Sequence, residues 1–310
     1  MSPPRLAVVD LGSNSVRLLL CEVPGPEGPE GERVATVTGL RRGAGPDGGL
    51  APDALARLDG CLAGYAERIA RFRPDRVVCV GTSAVRDAPN GGAVEALVRA
   101  RLGAPLRVLT GEEEAALAFA GAALAVPGGE EVLLVDVGGG STELVRGAGG
   151  RPAGAVSLQL GAVRHTERHL RDDPPPPAQL AALRADARGL LAPALGEIGG
   201  PAPAVGVAGT VTSLAAIELG GYDPARVHGH VLPRDAVERL LAERAAMGPG
   251  RRRGVAGLDP ARAGVIVAGA AIVAELLAVA GLDRMIVSER DILDGVAMAA
   301  AGVGERSFPL

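Results

Sequence analysis

Leu6-Ala7-Val8-Val9-Asp10-Leu11-Gly12-Ser13-Asn14-Ser15 returns later in the chain as Leu133-Leu134-Val135-Asp136-Val137-Gly138-Gly139-Gly140-Ser141-Thr142. Each copy reads as an apolar strand carrying an Asp, a turn of Gly and Ser, and a second apolar strand. Such a turn suits a phosphate and its metal. Gly lets the backbone come close, so turn N–H groups can point at phosphate oxygens. Ser, Asn and Thr add donors, and the Asp can hold a cation. Taken singly, either copy is also an ordinary hairpin. Two copies with Asp at the same strand end, each trailed by hydroxyls, point to two related halves closing on one polyphosphate-like ligand.

Working outward, the first half reads as strands over 6–10, 16–23 and 33–38, a helix over 52–72, a strand over 76–81, a helix over 92–102, a strand over 106–109 and a helix over 112–125. Leu55, Leu58, Leu62, Tyr65 and Ile69 follow the helical period. The second half repeats the order: strands over 132–136, 142–146 and 153–158, helices over 162–171 and 178–195, a strand over 204–207 and a helix over 210–219. Helices over 234–246, 260–280 and 291–301 follow, with a strand over 284–287 between the last two. This is a mixed α/β duplication, with domains at 1–120 and 121–310.

Composition narrows the chemistry. At 310 residues the chain is long enough for two cores. Aromatics are scarce, so Leu, Val, Ile and Ala must build those cores. Every basic residue is Arg. Without Lys there is no Walker A loop and no Schiff-base or pyridoxal enzyme. A net charge of −4 with few aromatics speaks against a nucleic-acid binder. Cys21, Cys61 and Cys79 have no metal-binding spacing and read as reduced, buried thiols, which fits the cytosol. Residues 1–5 do not resemble a signal peptide. The apolar stretch 263–282 approaches the ~20 residues of a membrane span, but it carries Glu275 and is rich in Ala and Gly; it reads as a buried core helix.

Further motifs fall at strand-to-helix junctions. Gly81-Thr82-Ser83-Ala84-Val85-Arg86 offers hydroxyls and an Arg to a phosphate, or else an N-cap and a surface Arg. In Gly111-Glu112-Glu113-Glu114-Ala115 the helix dipole accounts for two glutamates, and one is left as a candidate general base. Gly209-Thr210-Val211-Thr212-Ser213 reads as another phosphate contact or as a cap. Gly43-Ala44-Gly45-Pro46-Asp47-Gly48 matches G-x-G-x-x-G, but Pro46 and the late helix rule out a dinucleotide site. His165 and His169 are four apart without an evident third ligand, so a surface helix is expected; His228-Gly229-His230 reads as a structural loop and Arg251-Arg252-Arg253 as a solvated turn.

Together, and in this order, Asp10 to Leu18, Gly81 to Arg86, Gly111 to Ala115, Asp136 to Glu143, Ser157 to Gly161 and Gly209 to Ser213 resemble the motifs of the exopolyphosphatase/guanosine pentaphosphate phosphatase (Ppx/GppA) family, in a short two-domain form. The resemblance covers nearly the whole chain. It implies the actin/Hsp70/sugar-kinase superfold: two ribonuclease-H-like α/β domains with an interdomain active-site cleft. It implies a hydrolase that releases terminal phosphate from inorganic polyphosphate, or the 5′-phosphate of guanosine pentaphosphate (pppGpp). Longer relatives carry an additional C-terminal domain, which makes short polyphosphate the expected preference here. By the same resemblance Glu114 orients or deprotonates the attacking water. Asp136 and Glu143 bind a divalent cation, Mg²⁺ or Mn²⁺, with Asp10 opposite. Arg86, Gly12, Ser13, Asn14, Ser15, Arg17, Thr82, Ser83, Gly138, Gly139, Gly140, Ser141, Thr142, Gly209 and Thr210 hold phosphates. A cytoplasmic homodimer is expected, without nucleic acid or membrane. A kinase of the same superfold would instead need an acceptor pocket, and a non-catalytic nucleotide- or alarmone-binding protein or filament former would not need Glu114, Asp136 and Glu143.

Overall fold

A computed structural model of the chain describes residues 2–25, 28–45, 47–124, 130–149 and 151–303. Met1, Pro46 and Ala125, on which three of the sequence readings touch, lie outside the described residues. The chain divides into unit 1, Met1–Leu124 with Ile292–Leu310, and unit 2, Ala125–Asp291.

Unit 1 runs β1 (Arg5–Leu11), β2 (Ser15–Glu22), β3 (Glu30–Val37), α1 (Pro52–Phe72), β4 (Arg76–Gly81), α2 (Ser83–Arg86), α3 (Gly92–Leu102), β5 (Leu106–Val108) and α4 (Gly111–Ala123). Its sheet has the order β3-β2-β1-β4-β5. The first three strands form an antiparallel meander, and β1, β4 and β5 are parallel. The apolar stripe of α1 buries Leu58, Leu62, Tyr65 and Ile69, and the Tyr65 hydroxyl donates to the Val16 carbonyl at 2.8 Å.

Unit 2 runs β6 (Glu131–Val137), β7 (Thr142–Ala148), β8 (Arg151–Leu158), α5 (Ala162–His169), α6 (Pro177–Glu197), β9 (Ala204–Val207), α7 (Ala208–Glu218), α8 (Pro224–Val227), β10 (Val231–Pro233), α9 (Arg234–Ala245), α10 (Pro249–Arg253), a 3₁₀ turn at Pro260–Arg262, α11 (Ile266–Val279) and β11 (Arg284–Val287). Its sheet has the order β10-β11-β9-β6-β7-β8. A meander β6-β7-β8 is again followed by strands parallel to its first member, β9 and β11, while the edge strand β10 is antiparallel to β11. Ile266 to Leu277 of α11 are all buried, so the apolar stretch is a core helix. Its Glu275 is fully buried and accepts hydrogen bonds from Arg184 and Arg188 at 2.5 and 2.8 Å. Among the described residues no helix is long and apolar enough to cross a membrane.

Two expectations need correction. The last helix, α12 (Ile292–Ala300), joins unit 1, although a cut at residue 120 would leave it in the second domain. It packs on α4 and β1, and so closely that a Cβ at Gly295 would overlap the Leu117 carbonyl. The Arg33 guanidinium donates to its buried Asp294 at 2.5 Å. The Arg251–Arg253 stretch is also not a fully solvated turn. Arg252 is 1% exposed. It donates to Asp173 at 2.7 and 3.1 Å and to the carbonyls of Arg244, Met247 and Ala263. Burial of a guanidinium is tolerable because its N–H fork is satisfied this way.

Candidate active site

The two repeated turns share one backbone design. In unit 1 the Gly12 N–H donates to the Ser15 carbonyl at 3.1 Å, and in unit 2 the Gly138 N–H donates to the Ser141 carbonyl at 3.0 Å. These two amides therefore close their hairpins and are not offered to a ligand. The carbonyls beyond them are held from behind. Ser13 accepts from the Arg41 N–H at 3.0 Å, and Asn14 from the Thr38 and Gly39 N–H groups at 3.0 and 2.8 Å. In unit 2 the first turn of α5 does this work: the N–H groups of Ala162 and Val163 donate to Gly138 and Gly139 at 2.9 and 2.8 Å, and Arg164 Nε donates to Gly140 at 2.7 Å. In a planar trans peptide the C=O and the next N–H point opposite ways. Pinning the carbonyls thus turns the Asn14 amide in unit 1, and separately the Gly139 and Gly140 amides in unit 2, away from the pinning groups, an arrangement of turn amides that suits an anion. Gly161 makes this docking possible, because a Cβ there would overlap the Gly139 backbone.

The copies differ at the residue facing the Asp. Hairpin register places Asp10 opposite Arg17 and Asp136 opposite Glu143. Arg17 donates to Asp10 Oδ2 from two nitrogens, at 2.6 and 2.9 Å, so the expected metal ligand and the expected phosphate ligand of the first copy form an ion pair. In the second copy two buried carboxylates, 8% and 2% exposed, face each other. Directly opposed like charges destabilise a strand pair, and a hard divalent cation, which takes carboxylate oxygen as its ligand, would relieve them. Ser157 Oγ donates to Glu143 Oε1 at 2.9 Å and orients it.

Unit 1 adds the acid–base candidates where β4 and β5 end. Ser83 Oγ lies 3.4 Å from Ser13 Oγ, which brings two separate sequence motifs together. The three glutamates opening α4 have three fates. Glu112 is exposed. Glu113 forms a capping box with Thr110 and pairs with Arg107 at 2.6 Å. Hydrogen bonding from the Thr110 backbone, ahead of Arg107, holds the Glu113 carboxyl below its usual range. Glu114 is buried, with Arg86 Nη1 at 2.9 Å from its Oε2. The same Arg86 nitrogen donates to the Leu109 carbonyl at 2.9 Å, which fixes the pair to the strand end.

Three expected phosphate donors are committed elsewhere. Thr82 Oγ1 donates to the Leu11 carbonyl at 3.3 Å, Thr142 Oγ1 to Leu160 at 2.6 Å and Thr210 Oγ1 to Val137 at 2.8 Å. A hydroxyl has one proton, and a phosphate oxygen needs a donor. These threonines hold strand ends in place. Gly209 lies beneath the Arg262 guanidinium, which a Cβ there would overlap, and it follows Ala208, whose φ of +64° is left-handed. Ser157 entered the sequence reading only as the start of the Ser157 to Gly161 motif, with no role given, and Arg164 and Arg262 did not enter it. Only Ser157 had a local signal, because hairpin register from Glu143 leads to it. His165 also departs from expectation: it is fully buried, and burial pushes its imidazole down to about 4.

Two sheets, each opening on an antiparallel meander with an Asp–Gly–hydroxyl turn in its first hairpin and continuing in parallel strands, define a duplicated α/β protein. The chain belongs to the Ppx/GppA phosphatase family, which it matches over residues 33–301. It is 37% identical to Exopolyphosphatase 2 of Mycobacterium tuberculosis over 323 aligned residues, covering 97% of this chain and 100% of that protein. It is similar to the crystal structure of an exopolyphosphatase-like protein, with 32% identity, a TM-score of 0.88 and coverage of 96% and 99% of the two chains. It is also similar to the Ppx/GppA family member of Aquifex aeolicus, with 30% identity, a TM-score of 0.79 and coverage of 96% and 97%.

Proposed function

We propose that this protein is an exopolyphosphatase that releases orthophosphate from the end of inorganic polyphosphate by direct attack of water. The observation that carries the reading is Glu114. It is the one glutamate of its turn that is buried, and Arg86 orients it. In the reaction a water oxygen bonds to the terminal phosphorus, the bridging P–O bond breaks, and the water proton passes to the Glu114 carboxylate. Phosphoryl transfer rests on positioning and charge neutralisation more than on covalent chemistry. The outward amides of Asn14, Gly139 and Gly140 hold phosphate oxygens, and Ser13 and Ser83 add hydroxyl donors. Asp136 and Glu143 would hold a Mg²⁺ or Mn²⁺ ion, which supplies charge neutralisation at the phosphate oxygens. Asp10, tied to Arg17, keeps the first turn in register. The likeness to Exopolyphosphatase 2 of M. tuberculosis supports polyphosphate as substrate. Guanosine pentaphosphate 5′-phosphohydrolase activity uses the same residues and is the second reading. A cytoplasmic homodimer acting without nucleic acid or membrane completes the proposal.

Phosphate release with Mg²⁺ across graded polyphosphates, guanosine pentaphosphate and ATP separates the two substrates. Glu114→Gln should lower turnover by about 10²-fold or more while leaving polyphosphate binding largely intact. A variant that keeps near-native turnover would remove Glu114 from the chemistry.

A further inference from the structure

We infer that His165, His169 and Asp186 form a binding site for a transition-metal ion of the Zn²⁺ class, separate from the carboxylates of the candidate active site. One ligand atom from each residue lies within 4.8 Å of the other two, and this is the one such cluster of three among the described residues. The two histidines are one turn apart on α5, and Asp186 comes from α6. His165 Nε2 lies 3.4 Å from Asp186 Oδ2, and His169 Nε2 lies 2.8 Å from the same oxygen. Tetrahedral zinc with bonds of about 2.0–2.1 Å separates its ligand atoms by about 3.3 Å. Of the three edges, the His165–Asp186 one already has about that length, the His169–Asp186 one needs to open by about half an ångström, and the His165–His169 one lies within 4.8 Å.

The second observation is His165 itself. Its side chain is fully buried, and its Nε2 has no hydrogen-bond partner. That nitrogen is aimed into the cluster. His169 and Asp186 are 16% and 30% exposed, which leaves an entry path and room for a solvent ligand. Arg168 donates to Asp186 Oδ2 at 3.0 Å, but its side chain is 51% exposed and free to swing into water. Two imidazoles and a carboxylate favour Zn²⁺, Co²⁺ or Ni²⁺ over Mg²⁺, which takes oxygen and retains its waters.

Loading has a proton consequence. The Gly161 N–H points at His165 Nδ1 from 3.3 Å, so in the metal-free protein the single ring proton sits on Nε2. Coordination through Nε2 moves that proton to Nδ1 and gives up the Gly161 contact. Gly161 immediately precedes the α5 turn that pins the Gly138–Gly140 carbonyls, so the site is wired to that turn through one helix.

The test uses the full chain, stripped with a chelator and then kept in excess Mg²⁺ to fill oxygen sites. Titration with Co²⁺ should give visible d–d absorption bands of a tetrahedral N/O site at one equivalent, and Zn²⁺ should abolish them. His169→Ala and Asp186→Asn, at partly exposed positions, should each weaken Co²⁺ binding by about 10-fold or more, with folding verified by circular dichroism. Absence of the bands at micromolar Co²⁺, or unchanged affinity in both folded variants, would overturn the site. Neither result bears on Glu114 or on polyphosphate hydrolysis.

Discussion

Arg86 is the residue whose substitution is most informative after Glu114. It donates at once to the Leu109 carbonyl and to Glu114, so under the proposed function it would position the base and present positive charge to phosphate. Arg86→Ala should therefore reduce kcat and raise KM together, by about 10-fold or more in kcat/KM. A rise in KM alone would confine it to binding. The three cysteines carry a second expectation. Burial pushes Cys21 and Cys79 up to about 12, and it raises Cys61 as well. The thiolate is the nucleophile, so alkylation at about pH 8 should be slow for Cys21 and Cys79 in the native protein and fast for all three once it is unfolded, as mass spectrometry can record. Rapid native labelling of Cys79 would contradict its burial.

At the scale of elements, α4 shows how a cap and a site share one turn. The triple Glu was legible as a helix start, because acids suit the N-terminal dipole. Which glutamate caps and which is buried was not, because that depends on Arg107 and Arg86 reaching the turn from neighbouring elements. Glu113 is held below its usual range, so its contribution is present above the pKa of the unfolded chain, about 4.3. It is lost as pH falls through the lower folded value. Wild type should exceed Glu113→Gln in denaturant stability near neutral pH, and the gap should close toward about pH 3. A gap independent of pH would mean that the charge has no part in the cap. The hairpins were more legible. Both were read as strand, turn and strand, and the structure adds the register that sets Asp10 opposite Arg17 and Asp136 opposite Glu143.

Across the whole molecule, the chain order and the units do not coincide. α12 returns to unit 1, where Gly295 abuts Leu117 of α4 and Asp294 binds Arg33. Truncation after Asp291 should therefore loosen unit 1, which carries Glu114, and leave unit 2 protected. Hydrogen exchange should show α4 and β1 amides losing protection while those of β6 and α11 keep theirs. Loss confined to unit 2 would restore a simple division near residue 120. The buried Arg252 belongs to the same scale, since its Asp173 partner lies 79 positions away.

The sequence by itself determined what rests on local periodicity and on covalent neighbourhood. Alternation and apolar runs set the strands, and turn chemistry set the two hairpins. Tertiary structure alone decided what rests on contacts distant in the chain. It buried Glu114 on Arg86, withdrew the hydroxyls of Thr82, Thr142 and Thr210 to strand-end carbonyls, brought Asp186 to two histidines, and returned α12 to the first unit. The physical reason is that a donor, an acid or an apolar face has the same local signature whether its partner is water, a ligand or a distant segment. Only packing selects among them.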